Sequence, residues 1–413
     1  PCSTRRRHTR LLTQSRGLGD VYKRQGLILA DLGADVIHIE PPTGDTTRRL
    51  KGFGVGYFPF FNRNKQSLAI DLKASEGKEI ILKLVATADI VLENFGPGTI
   101  ERLGYGYDAL SKINPRLIYV SLKGFLPGPY EHRVAMDEVV QMMGGLAYMT
   151  GPPGQPLRAG SSIIDVTGGM FGAMGAITAL YDRERTGKGT YIKGALFETT
   201  AFIMGQHMAY AALTDEPVPP MPARVSAWSV YKLFDTKDGE QIFIGIISEK
   251  HWQKFCEAFD RREWLEDERL QTNNKRIHER DWFLPEVDNL IKQFTKEEVI
   301  KICDTAGICF APIARPEDLF DDPQLNQGDY GLLDTVFPDG QKTKVPRLPL
   351  QFGSYDLKKR NDPPATIGAD TREVLESLGY DESKISELAQ KKIVAIDPGG
   401  DCSGNGGRYG RTP

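Results

Sequence analysis

The chain has 413 residues, enough for two or more domains around a sizeable core, and its 40% hydrophobic and 26% charged residues are the balance of an ordinary globular protein. A formal net charge of -3 makes no positive field to gather nucleic acid or an anionic membrane surface, and no run of ~18 apolar residues escapes a charge, so neither partner is expected. The five cysteines, Cys2, Cys256, Cys303, Cys309 and Cys402, have no CxxC spacing and no histidine cluster beside them, which points away from a metal site or a disulfide framework and toward free thiols in a cytoplasmic protein.

Residues 1–25 are basic (Arg5, Arg6, Arg7, Arg10, Arg16, Lys23, Arg24), carry only Asp20 as an acid and show no period, so they read as a non-native or disordered leader outside the fold. From Gly26 the pattern is α/β. Leu27, Ile28, Leu29 and Leu32 predict a helix ending at Gly33, and Val36-Ile37-His38-Ile39 a buried strand that ends at Glu40, before Pro41-Pro42. A second strand is expected over 67–71, followed by a helix capped by Ser75 with Ile80, Ile81, Leu84 and Val85 on one face. A third strand over 90–92 breaks at Gly96-Pro97-Gly98, and two short helices lead to a fourth over 117–122. Such alternation predicts a mainly parallel sheet with ligands at its carboxyl edge, where the strands end at Glu40, at Glu93-Asn94-Phe95 and at Lys123-Gly124. The glycines at 52, 54 and 56 and at 104 and 106 follow no strand and open no helix, so neither group is a dinucleotide fingerprint or a phosphate loop.

Between Arg158 and Arg185, an extended pair Ile163-Ile164 precedes Asp165, and Gly168, Gly172, Gly175 and Ala179 then recur at spacings of three and four, the narrow face of a closely packed helix. Asp165 at that helix start is either an N-cap or a functional carboxylate. Pro217, Pro219, Pro220 and Pro222 mark a boundary. Beyond it come a hairpin (230–233 with 241–247), amphipathic helices over 250–259 and 296–305, Pro- and Gly-punctuated strand candidates over 332–353, and a last helix pair over 371–378 and 382–390. The expected organisation is a large domain over 26–220, a small α/β domain over 221–318, a linker and C-terminal return to the large domain over 319–396, and a disordered tail over 397–413.

Four pieces in order carry a resemblance. They are Asp31-Leu32-Gly33-Ala34-Asp35-Val36-Ile37-His38-Ile39-Glu40-Pro41-Pro42 with Gly44-Asp45 and Arg48; Asn62-Arg63-Asn64-Lys65-Gln66-Ser67 with Asp71-Leu72-Lys73; Glu93-Asn94-Phe95-Gly96-Pro97-Gly98 with Leu103-Gly104; and the stretch through Asp165 to Arg185-Thr186-Gly187-Lys188-Gly189. Together, over roughly residues 26–395, the chain resembles the class III (CaiB/BaiF) coenzyme A transferases, the family of formyl-CoA transferase. The resemblance implies a Rossmann-like large domain, a smaller domain, and two chains interlocked as a homodimer. It also implies acyl-CoA and a small carboxylic acid as substrates, with no permanently bound cofactor and no metal.

By the same resemblance Asp165 matches a nucleophile that forms an aspartyl anhydride and then an aspartyl-CoA thioester, a role open to a carboxylate because it is ionised near neutral pH. Leu72 and Lys73 match positions bordering the adenine, Asn94 and Phe95 those bordering the nucleotide and pantetheine, and Arg102 and Leu103 those approaching the phosphates or adenine. Read without the resemblance, Lys73 and Arg102 are surface charges and Phe95 is core. Asp137 matches an acid near the active site that either orients substrate or caps a helix. In the racemase branch a histidine before this acid is a second proton carrier; here Met136 stands there, and a thioether exchanges no proton. Residues 18–25 do not match the loop after the family's first strand, 223–228 lacks the glycine run of formyl-CoA transferase, and Pro41 replaces an arginine, so formyl-CoA and oxalate are not supported and donor and acceptor stay open. An acyl-CoA racemase or epimerase and a non-catalytic CoA-binding protein are the rival readings; the missing glycine fingerprint disfavours a nicotinamide oxidoreductase.

Overall fold

A computed structural model describes residues 10–14, 21–224, 226–328, 330–353 and 361–397. The expected tail beyond Asp397 lies outside them. The described residues fall into two compact units, one drawn from positions 1–222 and 326–413, the other Ala223–Leu325.

The first unit is organised on a seven-stranded sheet. Strands β1 (Arg10–Gln14), β2 (Asp35–Glu40), β3 (Gln66–Ile70), β4 (Ile90–Glu93), β5 (Ile118–Lys123) and β6 (Thr190–Ala195) run parallel in the order β3-β2-β1-β4-β5-β6. Because parallel strands are covered on both faces, their sequences are nearly continuous apolar runs, and every residue of β4 and all but the last of β5 are buried. Alternate side chains part to opposite faces: Ile37, Ile39 and Val91 join one core, Val36, Ile90, Leu92, Ile118 and Val120 the other. Five helices matter most: α1 (Val21–Asp31), α2 (Ser75–Thr87), α3 (Asp137–Met143), α4 (Ile163–Thr186) and α5 (Glu382–Gln390). α2 and α5 cover the first face with Ile80, Ile81, Leu84, Val85, Ile385 and Leu388, while α1 and α4 cover the second with Leu29, Ala30, Ala173, Ala176 and Ala179.

The second unit holds an antiparallel sheet of β7 (Tyr231–Asp235), β8 (Gln241–Gly245) and β9 (Cys309–Pro312). Its own core includes Trp252, Phe255, Phe283 and Val299. Burial pushes the thiols of Cys256 and Cys303 up to about 12, so both are inert packing groups. Back in the first unit, β10 (Leu332–Val336) and β11 (Lys342–Pro346) form a hairpin, and β12 (Val394–Ala395) pairs antiparallel with β3 at the sheet edge.

Several expectations need correction. Residues 10–14, read above as part of a leader, form a central strand in which Leu12 pairs with Ile37 and Val91, and Lys23, Arg24 and Gln25 are buried in α1. Basic composition hid this because three of those polar residues point inward. Ser75 is the first residue of α2 rather than its cap, and its hydroxyl donates to Glu76 instead. The two-residue strand β12 and the third small-sheet strand β9 have too few residues to show a period. By length and mean hydropathy (1.5) α4 would qualify as a membrane span. Its apolarity has a local cause, a buried small-residue face of Gly168, Gly172, Ala176 and Ala179.

The carboxyl end of β2 is closed by a buried polar network. Glu40 accepts from Arg48 Nε (2.9 Å) and Nη2 (2.8 Å), from Ser67 Oγ (2.5 Å) and from the Asp45 amide (2.7 Å). Arg48 also donates to the carbonyls of Pro364 and Thr366, so this carboxylate ties the C-terminal return to the sheet. Burial alone would raise the Glu40 pKa, but Arg48 holds it below the ordinary value. His38, fully buried, lies with Nε2 3.2 Å from Asp45 Oδ2. Burial lowers its pKa from 6.5 despite that acid.

Two outcomes are expected. A Cβ added to Gly77 in the first turn of α2 would lie 2.0 Å from the carbonyl oxygen of Asp71. Gly77→Ala is therefore expected to destabilise the chain by roughly 1–3 kcal/mol, reversing the gain of roughly 1 kcal/mol that helix propensity alone predicts; a urea midpoint at or above wild type would show that the loop yields instead. Since burial keeps His38 neutral in the native chain, the unfolded chain binds the proton first as pH falls past 6.5, and stability drops on acidification. The urea midpoint should fall between about pH 7.5 and 5.5, with a smaller fall in His38→Gln; equal slopes would refute the assignment.

Candidate active site

The start of α4 is built without help from its own cap residue. Ser162 occupies the N-cap position, yet its hydroxyl makes no cap hydrogen bond and lies 3.2 Å from the hydroxyl of Tyr57. The first-turn amides are taken by Asp137, the first residue of α3: its Oδ2 accepts from the N–H of Ile164 at 2.8 Å and of Asp165 at 3.0 Å. Its Oδ1 accepts from Gln141 Nε2, one turn further along α3, and Gln141 Oε1 in turn accepts from the Ala159 amide at 2.9 Å. Asp137 and Gln141 thus clamp the chain on both sides of the helix start. The i to i+4 spacing places them on one face of α3, and it was the signal by which Gln141 could have been found.

Asp165 is the third residue of α4, not its cap, and the helix begins at Ile163 where an extended pair was expected. Its side chain is 7% exposed. One carboxylate oxygen pairs with Arg24 Nη1, and that guanidinium lies over the ring of Phe61 at 4.5 Å and near Tyr57 at 5.8 Å. In the first turn, the N-cap and third-residue side chains are neighbours, so Ser162 and Asp165 share one corner. An anionic group there lies at the positive end of a helix whose amides are already held in place. What the arrangement offers chemically is a buried carboxylate fixed through its own main chain and paired with an arginine. Arg24 was lost to the reading of the sequence because it fell within the segment set aside as a leader.

At the carboxyl edge, β4 and β5 are joined by a clip. Lys123 Nζ donates to Glu93 Oε2 (2.8 Å) and to the Phe95 carbonyl (2.6 Å), while the Phe95 amide donates to the same Glu93 oxygen (2.9 Å). Phe95 and Leu72 are buried in the main core, at 1% and 7% exposure, and Leu103 packs against its rim. Asn94 is half-buried, and Lys73 and Arg102 are exposed. The turn at Gly98 adopts φ +69°, the left-handed region that glycine takes without steric cost, and Arg102 Nη2 reaches back to Thr99 Oγ1 at 2.9 Å. Tyr105 donates its hydroxyl to the Leu72 carbonyl at 2.9 Å, which joins the segment after Arg102 to the end of β3. Leu72, Phe95 and Leu103 therefore belong to one neighbourhood at the sheet edge, and of the residues matched to coenzyme A binding Lys73 and Arg102 are the exposed ones. Among the described residues no group of three His, Cys, Asp or Glu side chains could hold a metal ion.

The family model described as CoA-transferase family III matches residues 25–371. The succinyl-CoA:glutarate CoA-transferase of Mus musculus is 32% identical over 378 residues, covering 89% of this chain and 85% of that protein. The succinyl-CoA–D-citramalate CoA-transferase of Chloroflexus aurantiacus is 32% identical, covering 89% and 93%. Among solved structures, a CaiB/BaiF family protein from Brucella suis superposes with a TM-score of 0.78 at 30% identity, covering 90% of this chain and 98% of that one. A match spanning most of the sequence, together with a shared fold over nearly the whole of a solved relative, establishes that the chain belongs to CoA-transferase family III, the CaiB/BaiF proteins.

Proposed function

We propose that the protein moves coenzyme A from an acyl-CoA to a carboxylic acid with Asp165 as nucleophile. The observation that carries this reading is the buried Asp165 carboxylate, held in the first turn of α4 by the Asp137 clamp on its own amide. The carboxylate attacks the thioester carbonyl; the C–S bond breaks, coenzyme A leaves as thiolate and an acyl-aspartyl anhydride forms. The thiolate then attacks the aspartyl carbonyl, the donor acid departs as its carboxylate, and an aspartyl-CoA thioester remains. An acceptor carboxylate attacks that thioester and expels the thiolate, which returns to the acceptor's carbonyl, releases the new acyl-CoA and frees Asp165. Each step exchanges one anion for another, so no proton has to be moved.

Met136, directly before Asp137, carries no exchangeable proton, and the Asp137 carboxylate is committed to two amides and Gln141. Both facts favour transfer over racemisation. The two relatives reported above are named for glutarate and D-citramalate, which supports a short dicarboxylic acid as one substrate. A homodimer is part of the same reading: α4 turns Met170, Phe171, Met174, Ile177 and Tyr181 outward, and a second copy would cover this apolar face. The order of the parallel strands supports a Rossmann-like sheet with its crevice between β1 and β4.

Asp165→Asn should lower exchange by at least ~10³-fold, and wild type quenched with hydroxylamine after acyl-CoA should carry the modification at Asp165 by mass spectrometry. Modification elsewhere, or transfer by the variant at the wild-type rate, would sink the mechanism. Asp137→Ala should cost about 1 kcal/mol of stability as a lost helix cap and lower kcat by ~10²-fold through misplacement of the nucleophile, with KM for acyl-CoA nearly unchanged. A change confined to KM would instead make Asp137 a substrate-binding group.

A further inference from the structure

When a carboxylate attacks a thioester, the tetrahedral intermediate carries its charge on the acyl carbonyl oxygen, and a fixed donor at that oxygen lowers the barrier. At the start of a helix the donor at hand is a free main-chain amide. The first turn of α4 has none to give. The Ile163 amide donates to the Ser161 carbonyl at 2.8 Å, the Ile164 and Asp165 amides to Asp137 Oδ2, and the Val166 amide to the Ser162 carbonyl at 3.1 Å. Every amide from Ile163 to Val166 is engaged within the chain, so a donor to the substrate has to come from a side chain.

Ser162 supplies one. It stands at the N-cap, where a serine hydroxyl ordinarily accepts from a first-turn amide, but Asp137 has taken those amides and the serine makes no cap bond. Among the described residues the one partner of its hydroxyl is Tyr57, in the short helix Tyr57–Phe61, with Oγ and Oη 3.2 Å apart. Both residues are half-buried, so a ligand can reach them. Two hydroxyls carry two protons, and one hydrogen bond between them uses only one. The phenol is the stronger donor; with Tyr57 donating to Ser162, the serine proton stays free and is polarised by the bond its oxygen accepts. Arg24 serves a different atom, because its Nη1 pairs with a carboxylate oxygen of Asp165 itself.

We infer that Ser162 is a catalytic residue, donating a hydrogen bond to the acyl carbonyl oxygen, and that Tyr57 is the positioning residue behind it. The inference rests on the reading of Asp165 as nucleophile. N-cap and third-residue side chains are neighbours in a first turn, which brings the serine hydroxyl to the corner where an acyl group forms on Asp165. Two of the four steps place charge on that oxygen: attack of Asp165 on the incoming thioester, and attack of the thiolate on the outgoing acyl-aspartyl anhydride. In each, the C=O π pair moves onto oxygen as the new bond forms and returns as the leaving group departs, thiolate in the first and the Asp165 carboxylate in the second. The serine keeps its proton throughout.

Steady-state kinetics of Ser162→Ala and Tyr57→Phe, read beside urea midpoints, test the assignment. Ser162→Ala should lower kcat about 10²-fold, the loss usual for one oxyanion donor, and leave KM for acyl-CoA within about 2-fold. Its urea midpoint should match wild type, since no cap bond is lost, whereas a serine acting only as a cap would lower the midpoint and spare kcat. Tyr57→Phe keeps the ring near Arg24 and removes only the contact that orients Ser162, so its kcat should fall by about 10-fold or less. A kcat of Ser162→Ala within about 3-fold of wild type, a loss confined to KM, or a larger loss in Tyr57→Phe than in Ser162→Ala overturns the inference. Hydroxylamine trapping separates it from the reading beneath it. Wild type unmodified at Asp165 refutes nucleophile and donor together, while wild type modified there, with Ser162→Ala acquiring the modification at the same rate, refutes the donor alone.

Discussion

A buried helix start leaves main-chain amides that must find acceptors, and at the start of α4 that demand is met by one carboxylate from another helix. Asp137 accepts from Ile164 and Asp165 together, and Gln141 extends the grip to Ala159. Because the acceptor comes from α3, the position of Asp165 is set by the packing of two helices and not by local capping alone. A nucleophile carried in this way has its backbone fixed before any ligand arrives, which is where preorganisation comes from.

The other end of α4 is held too. Arg183 donates to Asp89 Oδ1 at 2.6 Å and to the Arg116 carbonyl at 3.0 Å, tying the last turns to the segments that lead into β4 and β5. Between these ends the small face of α4 lies close to α1 and the sheet, and an added Cβ at Gly172 would fall 2.8 Å from the Gln25 side-chain oxygen. Gly175 belongs to a different contact, facing Ile192 of β6, so the run of small residues serves two neighbours rather than one. The large apolar side chains have been left to the outer face, and this division explains how a single helix can be apolar all round and still be a core element.

Along the carboxyl edge of the sheet, acids sit at the ends of β2 and β4, and both are consumed by structure. Glu40 is neutralised by Arg48 and also accepts from Ser67, and Glu93 is neutralised by Lys123 at the same oxygen that accepts from the Phe95 amide. The end of β3 differs: Lys73 is exposed there, and it lines a cavity of about 680 Å³ together with Asp71 and with Lys392 of the C-terminal return.

Much of this was readable from residue order. The continuous apolar runs at 36–39 and 90–92 identify buried parallel strands because both faces must be covered, and the order of four motifs points to the family. Asp165 was legible as the singular acid before a narrow helix. What local pattern could not supply was its structural role, since cap and first-turn residues share one composition and only the position of Asp137, 28 residues upstream, separates them. The same limit hid β1, whose inward Leu12 lies within a basic stretch, and β12, whose two residues have no period but gain their partners from β3. Sequence by itself determined the alternation of strands and helices, because periodicity and turn chemistry are local. Tertiary structure alone decided which carboxylates are spent on amides and arginines and which cations stay open, because those pairings join residues that are distant along the chain.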